Sequence, residues 1–344
     1  MNKTINLMSD TTTLPTDEMR KAMFEAEVGD DVSNADPTIH KLQVLAANIT
    51  GKEAALFMPS GTMGNLAALM SHCSAGKEVI VEENSHIVLY EGGGIARVAG
   101  LMPKIIKGEA GIMSPEQIKA AFREENIHFP KTKLICLENT HNAGGGTVYP
   151  MEYLKEIRAL ADEKNIKVHM DGARVFNAAA YLNIDVKEIV QYVDSVMFCL
   201  SKGLSAPVGS MLCGTKEFIH EALRVRKLLG GGLRQSGVLA AAGIVSLEQM
   251  TERLSEDHKN ARILAEELNK NPNVSINMDN VKTNIVFFDV KGNMDACELS
   301  ERLKNEFNIL CDRKNTTRIR MVTNRHIEKE DVLYVIESVN KILK

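Results

Sequence analysis

One lysine lies where an apolar run of the sequence ends and a tight turn begins. The run Val196–Leu200 predicts a buried strand, and Ser201 and Lys202 follow it directly. Small residues and Pro207 come next, so the chain must turn there. A lysine in such a partly desolvated turn is suited to form a Schiff base with a carbonyl compound. A lysine at a strand exit is more often a surface residue, so this feature alone does not assign the chemistry.

An aspartate follows another candidate strand. In the segment VHMDGARVF, Asp171 comes after Val168–Met170 and precedes Gly172 and Arg174. Ligands of open α/β sheets bind outside the carboxyl ends of the strands, where this side chain is expected. Pyridoxal phosphate needs a carboxylate against its pyridine nitrogen, because the protonated ring acts as an electron sink. An aspartate that caps a turn is the alternative, and the Asp-Gly-Ala-Arg setting one strand before Lys202 favours the cofactor role.

A third motif, FMPSGTMGNLAALM, places Ser60, Gly61 and Thr62 between a predicted strand and a predicted helix. Backbone N–H groups and the helix dipole converge at such a helix N-terminus, which favours a phosphate group. The same residues also form an ordinary turn with a helix cap, which is the plainer interpretation. Neither the NTPase phosphate loop nor the dinucleotide-binding glycine motif occurs in this sequence in a strand–turn–helix setting.

These motifs need a scaffold that brings the ends of several strands together. Short apolar runs alternate with segments of helical period, which predicts an α/β fold with a parallel sheet covered by helices. Strands are predicted at Ala55–Met58, Glu78–Val81, Leu134–Leu137, Val168–Met170, Ser195–Leu200 and Ser210–Cys213. Helices are predicted at Asn65–Ser71, at Met151–Lys164 and within Gly237–Asn269.

The pattern changes after that helical stretch and predicts a small α+β domain. Its predicted elements are the strand Asn284–Val290, the helix Asp295–Phe307, the strand Arg318–Val322 and the helix Lys329–Leu343. We therefore expect an N-terminal segment and a large domain over residues 1–240. A helical connection and the small C-terminal domain are expected over residues 241–344.

The composition is that of an ordinary globular protein and excludes several classes of function. The 344 residues are 44% hydrophobic, and the formal net charge is -4. Without a basic surface the chain cannot neutralise a nucleic-acid backbone, so nucleic acid is not an expected partner. Six scattered cysteines without a Cys-X-X-Cys pair suit a reducing cytoplasm. No apolar run approaches the ~20 residues that span a bilayer, and the N-terminus lacks a secretion signal, so no membrane association is expected.

The motifs, in their order along the chain, resemble the L-threonine aldolase family. The family consists of pyridoxal-phosphate enzymes of fold type I, so the resemblance implies a large domain with a mainly parallel, seven-stranded sheet. It also implies the reversible cleavage of L-threonine, L-allo-threonine and related L-3-hydroxy amino acids into glycine and an aldehyde. The likeness runs from residue 5 to about residue 325, through NLMSDTTTLPTDEMRKAM, GDDVSNADPTIHKLQ, GKEAALFMPSGTMGN, ENSHIVLYEGGG, LENTHNAGGG, HMDGARVFNA, VMFCLSKGLSAPVGS and GGGLRQSGVLAAAGI.

The resemblance assigns roles to residues that stand in the matching motifs. The implied catalytic residues are Lys202 as the Schiff-base lysine, Asp171 as the partner of the pyridine nitrogen, His86 and His128. The implied cofactor contacts are Ser60, Gly61 and Thr62 at the phosphate, His86 stacked on the ring, Arg174 beside the phenolate, and Lys227 and Arg234 from a neighbouring subunit. The substrate carboxylate is assigned to Ser9, Arg174 and Arg320. A homodimer or homotetramer is thereby implied, and no metal ligand is assigned.

The sequence departs from the family pattern at three places and leaves two questions open. Ser33-Asn34, Met8 and Thr323-Asn324 replace the family's usual Tyr-Gly, Arg and Thr-His. The catalytic base is His86, His128 or a water held by them, since a sequence contains no geometry. The alternatives to an aldolase are a β-eliminating lyase or an aminotransferase on the same fold, a regulatory protein that binds pyridoxal phosphate, and a scaffold without a cofactor.

Overall fold

Helices and strands alternate along most of the chain in a computed structural model that describes residues 3–344. The strands are β1 (Ile5–Asn6), β2 (Ala54–Met58), β3 (Glu78–Glu82), β4 (Met102–Ile106), β5 (Thr132–Glu138), β6 (Lys167–Asp171), β7 (Ser195–Cys199), β8 (Ser210–Gly214), β9 (Val274–Ser275), β10 (Ile285–Val290), β11 (Ile309–Leu310), β12 (Asp312–Arg313) and β13 (Arg318–Val322). The α-helices are α1 (Asp17–Glu25), α2 (Pro37–Thr50), α3 (Gly61–His72), α4 (His86–Leu89), α5 (Gly94–Arg97), α6 (Pro115–Ala121), α7 (Met151–Lys164), α8 (Val175–Leu182), α9 (Val186–Val190), α10 (Lys216–Leu228), α11 (Gly237–Val245), α12 (Leu254–Leu268), α13 (Ala296–Phe307) and α14 (Lys329–Ile342).

The large domain is built on a seven-stranded sheet with the order β2-β8-β7-β6-β5-β3-β4. Strands β7, β6, β5, β3 and β4 pair in parallel, while β8 runs antiparallel to both β2 and β7. The carboxyl ends of β5, β6 and β7 therefore meet at one edge of the sheet, where ligands bind in this class of fold. The α/β class expected from the sequence is confirmed.

Both faces of the sheet are covered by helices, as the residues of β7 illustrate. Val196 and Phe198 belong to the core shared with α2 and α8, while Met197 and Cys199 belong to the core shared with α3 and α10. Successive side chains of a strand point to opposite faces, so a strand buried on both faces is apolar throughout. This burial makes β7 a rigid support for the residues that follow it.

The small domain has an antiparallel sheet with the order β12-β13-β10-β9. Helices α12, α13 and α14 pack on it, and the core also includes Ile5 and Leu7 from the N-terminal segment. Strand β1 pairs in parallel with β11, so the two ends of the chain are joined here. The boundary after residue 240 stays a prediction; by packing, residues through Leu254 belong to the large core and Ala261 to the small one.

Each strand and helix named from the sequence is present in the structure, with ends that differ by at most about four residues, except that one predicted helical stretch is divided. Strand β4 was not predicted because Pro103 and Lys104 interrupt its short apolar run, and it lies at the sheet edge, where proline is tolerated. The predicted helical stretch Gly237–Asn269 divides into α11, a π-helical turn at Ser246–Met250 and α12. Within residues 3–344, no helix is long and apolar enough to cross a membrane.

Candidate active site

A cavity of about 220 Å³ opens at the carboxyl ends of β5, β6 and β7, beside the small domain. It is lined by polar side chains from both ends of the chain and from three strand ends. The lining residues are Ser9, Thr11, His86, Tyr90, Glu138, Thr140, Asn142, Asp171, Ala173, Arg174, Lys202, Lys314 and Arg320. The pocket thus contains six of the residues to which the sequence assigned a role, namely Ser9, His86, Asp171, Arg174, Lys202 and Arg320.

Lys202 is half-buried in a turn that two hydrogen bonds hold in place. Its carbonyl oxygen accepts from the Ser205 backbone N–H at 2.8 Å and from the Thr13 hydroxyl at 2.8 Å. Ser205 adopts a positive φ of 64°, which closes the turn between β7 and β8. The lysine therefore leaves a fixed backbone, with its amine at the pocket wall.

Asp171 ends β6 and is almost fully buried. One carboxylate oxygen accepts from the Ala173 backbone N–H at 3.0 Å, and the other accepts from the side-chain amide of Asn65 at 2.8 Å. Asn65 projects from the buried side of α3 and is itself inaccessible to solvent. A buried carboxylate with two fixed donors keeps one orientation, so Asp171 presents a defined edge to the pocket.

His86 begins α4 and is held at both its backbone and its ring. Its backbone N–H donates to Glu138 at 2.6 Å, and ring Nδ1 lies 2.9 Å from Oε1 of Glu91. The hydrogen bond to Glu91 raises the pKa of His86 above its usual value, and the nearby charge of Asp171 acts in the same direction. The ring therefore has a fixed orientation and an increased affinity for a proton.

Two arginines share one asparagine at the pocket wall. Arg174 makes a bidentate ion pair with Asp10, with both N···O distances at 2.7 Å. Arg320 donates to the carbonyl of Met8 at 3.1 Å and to the side chain of Asn142 at 2.9 Å. Asn142 also accepts from Arg174 at 3.3 Å. Burial alone would raise the pKa of Asp10, but the adjacent Arg174 holds it well below its usual value, so the pair is ionised.

Two buried polar atoms of the pocket residues have no hydrogen-bond partner among residues 3–344. They are the Thr140 hydroxyl and Nε of Arg320. Buried donors and acceptors in proteins are nearly always paired, and an unpaired one costs about 1–3 kcal/mol. Both atoms thus keep an unused hydrogen-bonding capacity in residues that line the pocket.

The Ser60–Thr62 segment forms the N-terminus of α3, next to the end of β7. Ser60 caps the helix by accepting from the Met63 backbone N–H at 3.2 Å. A Cβ on Gly61 would lie 3.0 Å from the sulfur of Cys199, so glycine permits the helix to approach β7 this closely. The first-turn N–H groups of a helix have no intrahelical acceptor, so they can bind an anion here.

His128 lies away from the pocket of its own chain. It precedes β5, which spans Thr132–Glu138, and the pocket lies at the other end of that strand. A strand of seven residues is about 20 Å long, which separates His128 from Lys202 within one chain. Of the two histidines, only His86 lines this pocket, and the expected place of His128 near the substrate stays a prediction that a single chain does not test.

Lys227 and Arg234 also lie outside the pocket lining. Arg234 has an exposed side chain and pairs with Asp30 at 2.9 Å. Lys227 is near the end of α10, and the following glycine loop packs on the start of α3, since a Cβ on Gly231 would overlap Met63. Their assignment to a neighbouring subunit's site is not tested within a single chain.

Sequence reasoning missed several residues that line the pocket or contact the residues that line it. They are Asp10, Asn65, Glu91, Glu138, Thr140 and Asn142. Asp10 follows Ser9 in the segment MSDTTT, and Thr140 and Asn142 stand in ENTHN, so these residues were within motifs already singled out. No local signal identifies Asn65, because its partner Asp171 is 106 residues away along the chain.

The sequence matches the family described as beta-eliminating lyase over residues 6–291. It is 46% identical to low-specificity L-threonine aldolase 1 of Arabidopsis thaliana, over 97% of this chain and 95% of that protein. It is 45% identical to the low specificity L-threonine aldolase of Escherichia coli K12, over 96% of this chain and 97% of that protein.

A solved structure of a threonine aldolase from Leishmania major has a similar fold. The TM-score is 0.85, and the match covers 99% of this chain and all of that chain at 18% sequence identity. This likeness supports the fold-type-I architecture of a large sheet domain and a smaller C-terminal domain.

Proposed function

This chain belongs to the beta-eliminating lyase family, with near-full-length relatives among the L-threonine aldolases, and from this premise we propose that its pocket cleaves L-threonine, L-allo-threonine and related L-3-hydroxy amino acids. The products are glycine and an aldehyde, which is acetaldehyde for threonine. The observation that carries the proposal is the convergence of Lys202, Asp171 and two arginines in one pocket. An amine, a buried carboxylate and a carboxylate-binding pair are the groups that the reaction needs.

The side chains present fit pyridoxal phosphate. Lys202 would hold the cofactor aldehyde between turnovers, and Asp171 would stabilise the protonated pyridine nitrogen. The N-terminus of α3 at Ser60–Thr62 would bind the phosphate, because its N–H groups have no intrahelical acceptor. When bound, the cofactor supplies an electron sink for the pair released from the Cα–Cβ bond.

Arg320 is proposed to bind the substrate carboxylate, with Ser9 and Arg174 beside it. Its buried Nε has no partner among residues 3–344, and a guanidinium binds a carboxylate through two parallel N–H groups. Arg174 is already paired with Asp10, so it contributes mainly by fixing Asn142 and the shape of the clamp. Fixing the carboxylate orients the Cα–Cβ bond for cleavage.

His86 is proposed as the base that takes the proton of the substrate β-hydroxyl, directly or through a water. It is the histidine that lines the pocket, and its pKa is raised by the hydrogen bond to Glu91. As the proton leaves, the hydroxyl oxygen becomes the aldehyde carbonyl and the Cα–Cβ bond breaks. A positioned base of this kind contributes about 10²- to 10⁴-fold to the rate.

The proposed function is tested by incubating the purified, cofactor-loaded protein with L-threonine and measuring the products. We expect acetaldehyde and glycine in equal amounts, and no pyruvate or keto acid. Pyruvate from serine as the main reaction would instead identify a β-eliminating lyase, and keto-acid formation an aminotransferase. Absence of bound cofactor in the purified protein, with no activity after its addition, would reject all of these enzymes.

We predict that the enzyme is specific for the L configuration at Cα but discriminates weakly at Cβ. A histidine that only removes a proton accepts either epimer more easily than a hydrogen bond tailored to one of them. Values of kcat/KM for L-threonine and L-allo-threonine should therefore differ by less than several hundredfold. A larger ratio in either direction would contradict the prediction, and D-threonine serves as the inactive control.

We further propose that the chain is an obligate homodimer, paired into a homotetramer, with Lys227 and Arg234 acting in a neighbouring subunit's site. The exposed side chain of Arg234 outside its own pocket supports this arrangement.

We also propose that the protein is cytoplasmic and that it acts in threonine catabolism and glycine formation. Six free cysteines, four of them buried, are in keeping with a reducing compartment.

The shared site predicts that two inactive variants restore activity when mixed. Lys202→Ala and Arg234→Ala damage different components, so a mixed dimer contains one site with neither defect. Random reassociation makes half of the dimers mixed, and about a quarter of wild-type activity should return after co-refolding. Recovery no greater than the sum of the separate variants would show that Arg234 acts in its own chain or not at all.

A further inference from the structure

A buried network links the pocket histidine to the carboxylate of Asp171. The Asn65 side-chain nitrogen donates to Oε1 of Glu91 at 2.7 Å and to Asp171 at 2.8 Å. Glu91 Oε1 also lies 2.9 Å from Nδ1 of His86. One amide therefore serves two carboxylates, each through one of its two hydrogens.

A series of neutral, hydrogen-bonded side chains on the other side of Asn65 favours one orientation of its amide. Its carbonyl oxygen lies 3.2 Å from Nε2 of His169, whose Nδ1 lies 2.8 Å from the Ser195 hydroxyl. The same hydroxyl lies 2.7 Å from Nε2 of His72. Burial lowers the pKa of His169 to about 3 and that of His72 to about 4, so both rings are neutral.

One assignment of hydrogens satisfies these four side chains together with the two carboxylates, which accept only when ionised. His72 donates to the Ser195 hydroxyl, the hydroxyl donates to His169, and His169 donates to the Asn65 oxygen. The Asn65 nitrogen must then face Glu91 and Asp171. Oε1 of Glu91 accepts from Asn65 with one lone pair and can accept from His86 with the other. This second hydrogen bond requires a proton on Nδ1 of His86.

We infer that Glu91, oriented by Asn65, is a positioning residue of the proposed reaction: it holds the His86 proton on Nδ1 and leaves Nε2 free to act as the base. The inference rests on the proposed function for its chemistry. Nε2 of His86 has no partner within the described chain. The His86 side chain lines the pocket and is 34% exposed, against 4% for Glu91. Free imidazole prefers the opposite tautomer, so a buried acceptor at Nδ1 has a definite effect.

The charges around His86 decide how Glu91 affects its titration. Glu91 accepts at the ring, and Glu138 accepts from the backbone N–H. A carboxylate oxygen of Asp171 lies within 4.8 Å of a ring nitrogen, and the charge of Lys202 acts in the opposite direction. Burial raises the pKa of the Glu91 carboxyl, while the donors His86 and Asn65 stabilise its ionised form. Glu91 thus makes His86 a stronger base as well as fixing its tautomer.

Two variants of Glu91 separate these effects. Glu91→Gln keeps an oxygen for Asn65 and His86 but removes the charge, so the tautomer should remain and the acid limb of the kcat/KM profile should move down by about 1 pH unit. Glu91→Ala removes the acceptor, so kcat should fall about a hundredfold with KM for threonine little changed. Glu83→Gln and Glu83→Ala change a half-buried glutamate outside the pocket and are the matched controls.

The direct readout is the ¹⁵N spectrum of histidine-labelled protein, recorded with the cofactor and after its removal, with His86→Gln to assign the signal. We expect the Nδ1–H form of His86 in the wild type and in Glu91→Gln, and the Nε2–H form in Glu91→Ala. Should Glu91→Ala not fold, the tautomer of the wild type and the pH profile of Glu91→Gln decide the question.

A wild-type His86 in the Nε2–H form would overturn the inference, as would Glu91 variants that match the Glu83 controls in both tautomer and pH profile. The spectrum does not depend on turnover, so the two proposals fail separately. A protein that shows the Nδ1–H form but produces no acetaldehyde from threonine would reject the proposed function alone.

Discussion

Lys202→Ala is expected to reduce kcat for threonine cleavage by about a thousandfold or more. The variant loses the amine that binds the cofactor aldehyde. Thr13 and Ser205 hold the backbone of Lys202 in the turn after β7. The other lysine of the pocket, Lys314, does not belong to this turn and cannot replace it. Acetaldehyde release measures turnover. Mass spectrometry after borohydride reduction shows whether the cofactor is still covalently attached.

Two controls separate chemistry from charge and stability. Lys202→Arg retains a cation but cannot form the covalent bond, so it should be as inactive as the alanine variant. Lys167→Ala removes a lysine at the other end of a neighbouring strand, where it pairs with Asp194, and should retain wild-type activity. Full activity in Lys202→Ala would refute the proposed mechanism.

Asp171→Ala is expected to bind some cofactor but to lose about 10²- to 10³-fold in kcat. The remaining contacts at Lys202 and α3 can still hold the cofactor, whereas the ring nitrogen loses the carboxylate that keeps it protonated. The measurements are kcat and the visible absorption of the bound cofactor. A parallel thermal melt reports the effect of leaving the Asn65 amide without one of its acceptors.

Asp194→Asn is the control matched by residue type. Asp194 precedes β7 at the opposite edge of the sheet and pairs with Arg158 and Lys167. Its replacement should lower the thermal midpoint without changing kcat. An Asp171→Ala enzyme with unchanged kcat would show that this carboxylate only supports the structure.

Features that depend on local pattern were predictable from the sequence. Helix α7 was predicted at its observed bounds, with Pro150 as its entry. The structure adds that Asn165, in a left-handed conformation, ends the helix. Asp171 and Lys202 were assigned because each directly follows an apolar strand, and strand ends meet where ligands bind. Strand β4 was missed because its pattern is weak and its pairing with β3 is a property of the tertiary structure.

Features that depend on contacts between distant residues were not predictable. Asn65 stands in a mostly apolar helix, and only the folded chain brings it to Glu91 and Asp171. His128 precedes β5, so within one chain it lies at the other end of the sheet from the pocket, and its predicted place near the substrate stays untested. A single sequence specifies the strand order too weakly for the contacts of Asn65 to be derived.

The joining of the two chain ends has a consequence for synthesis on the ribosome. Asp10 contacts Asn284, 274 residues away, and Arg320 reaches back to the carbonyl of Met8. A nascent chain that ends before residue 284 already contains every strand of the large sheet, but it lacks Arg320 and the small-domain residues that hold Asp10. Loop-closure entropy grows slowly with length, so bringing such distant segments together costs only a few kcal/mol more than closing a short loop. The substrate clamp is therefore completed only when nearly the whole chain has been made, and unfinished chains with a folded sheet cannot bind threonine in this way.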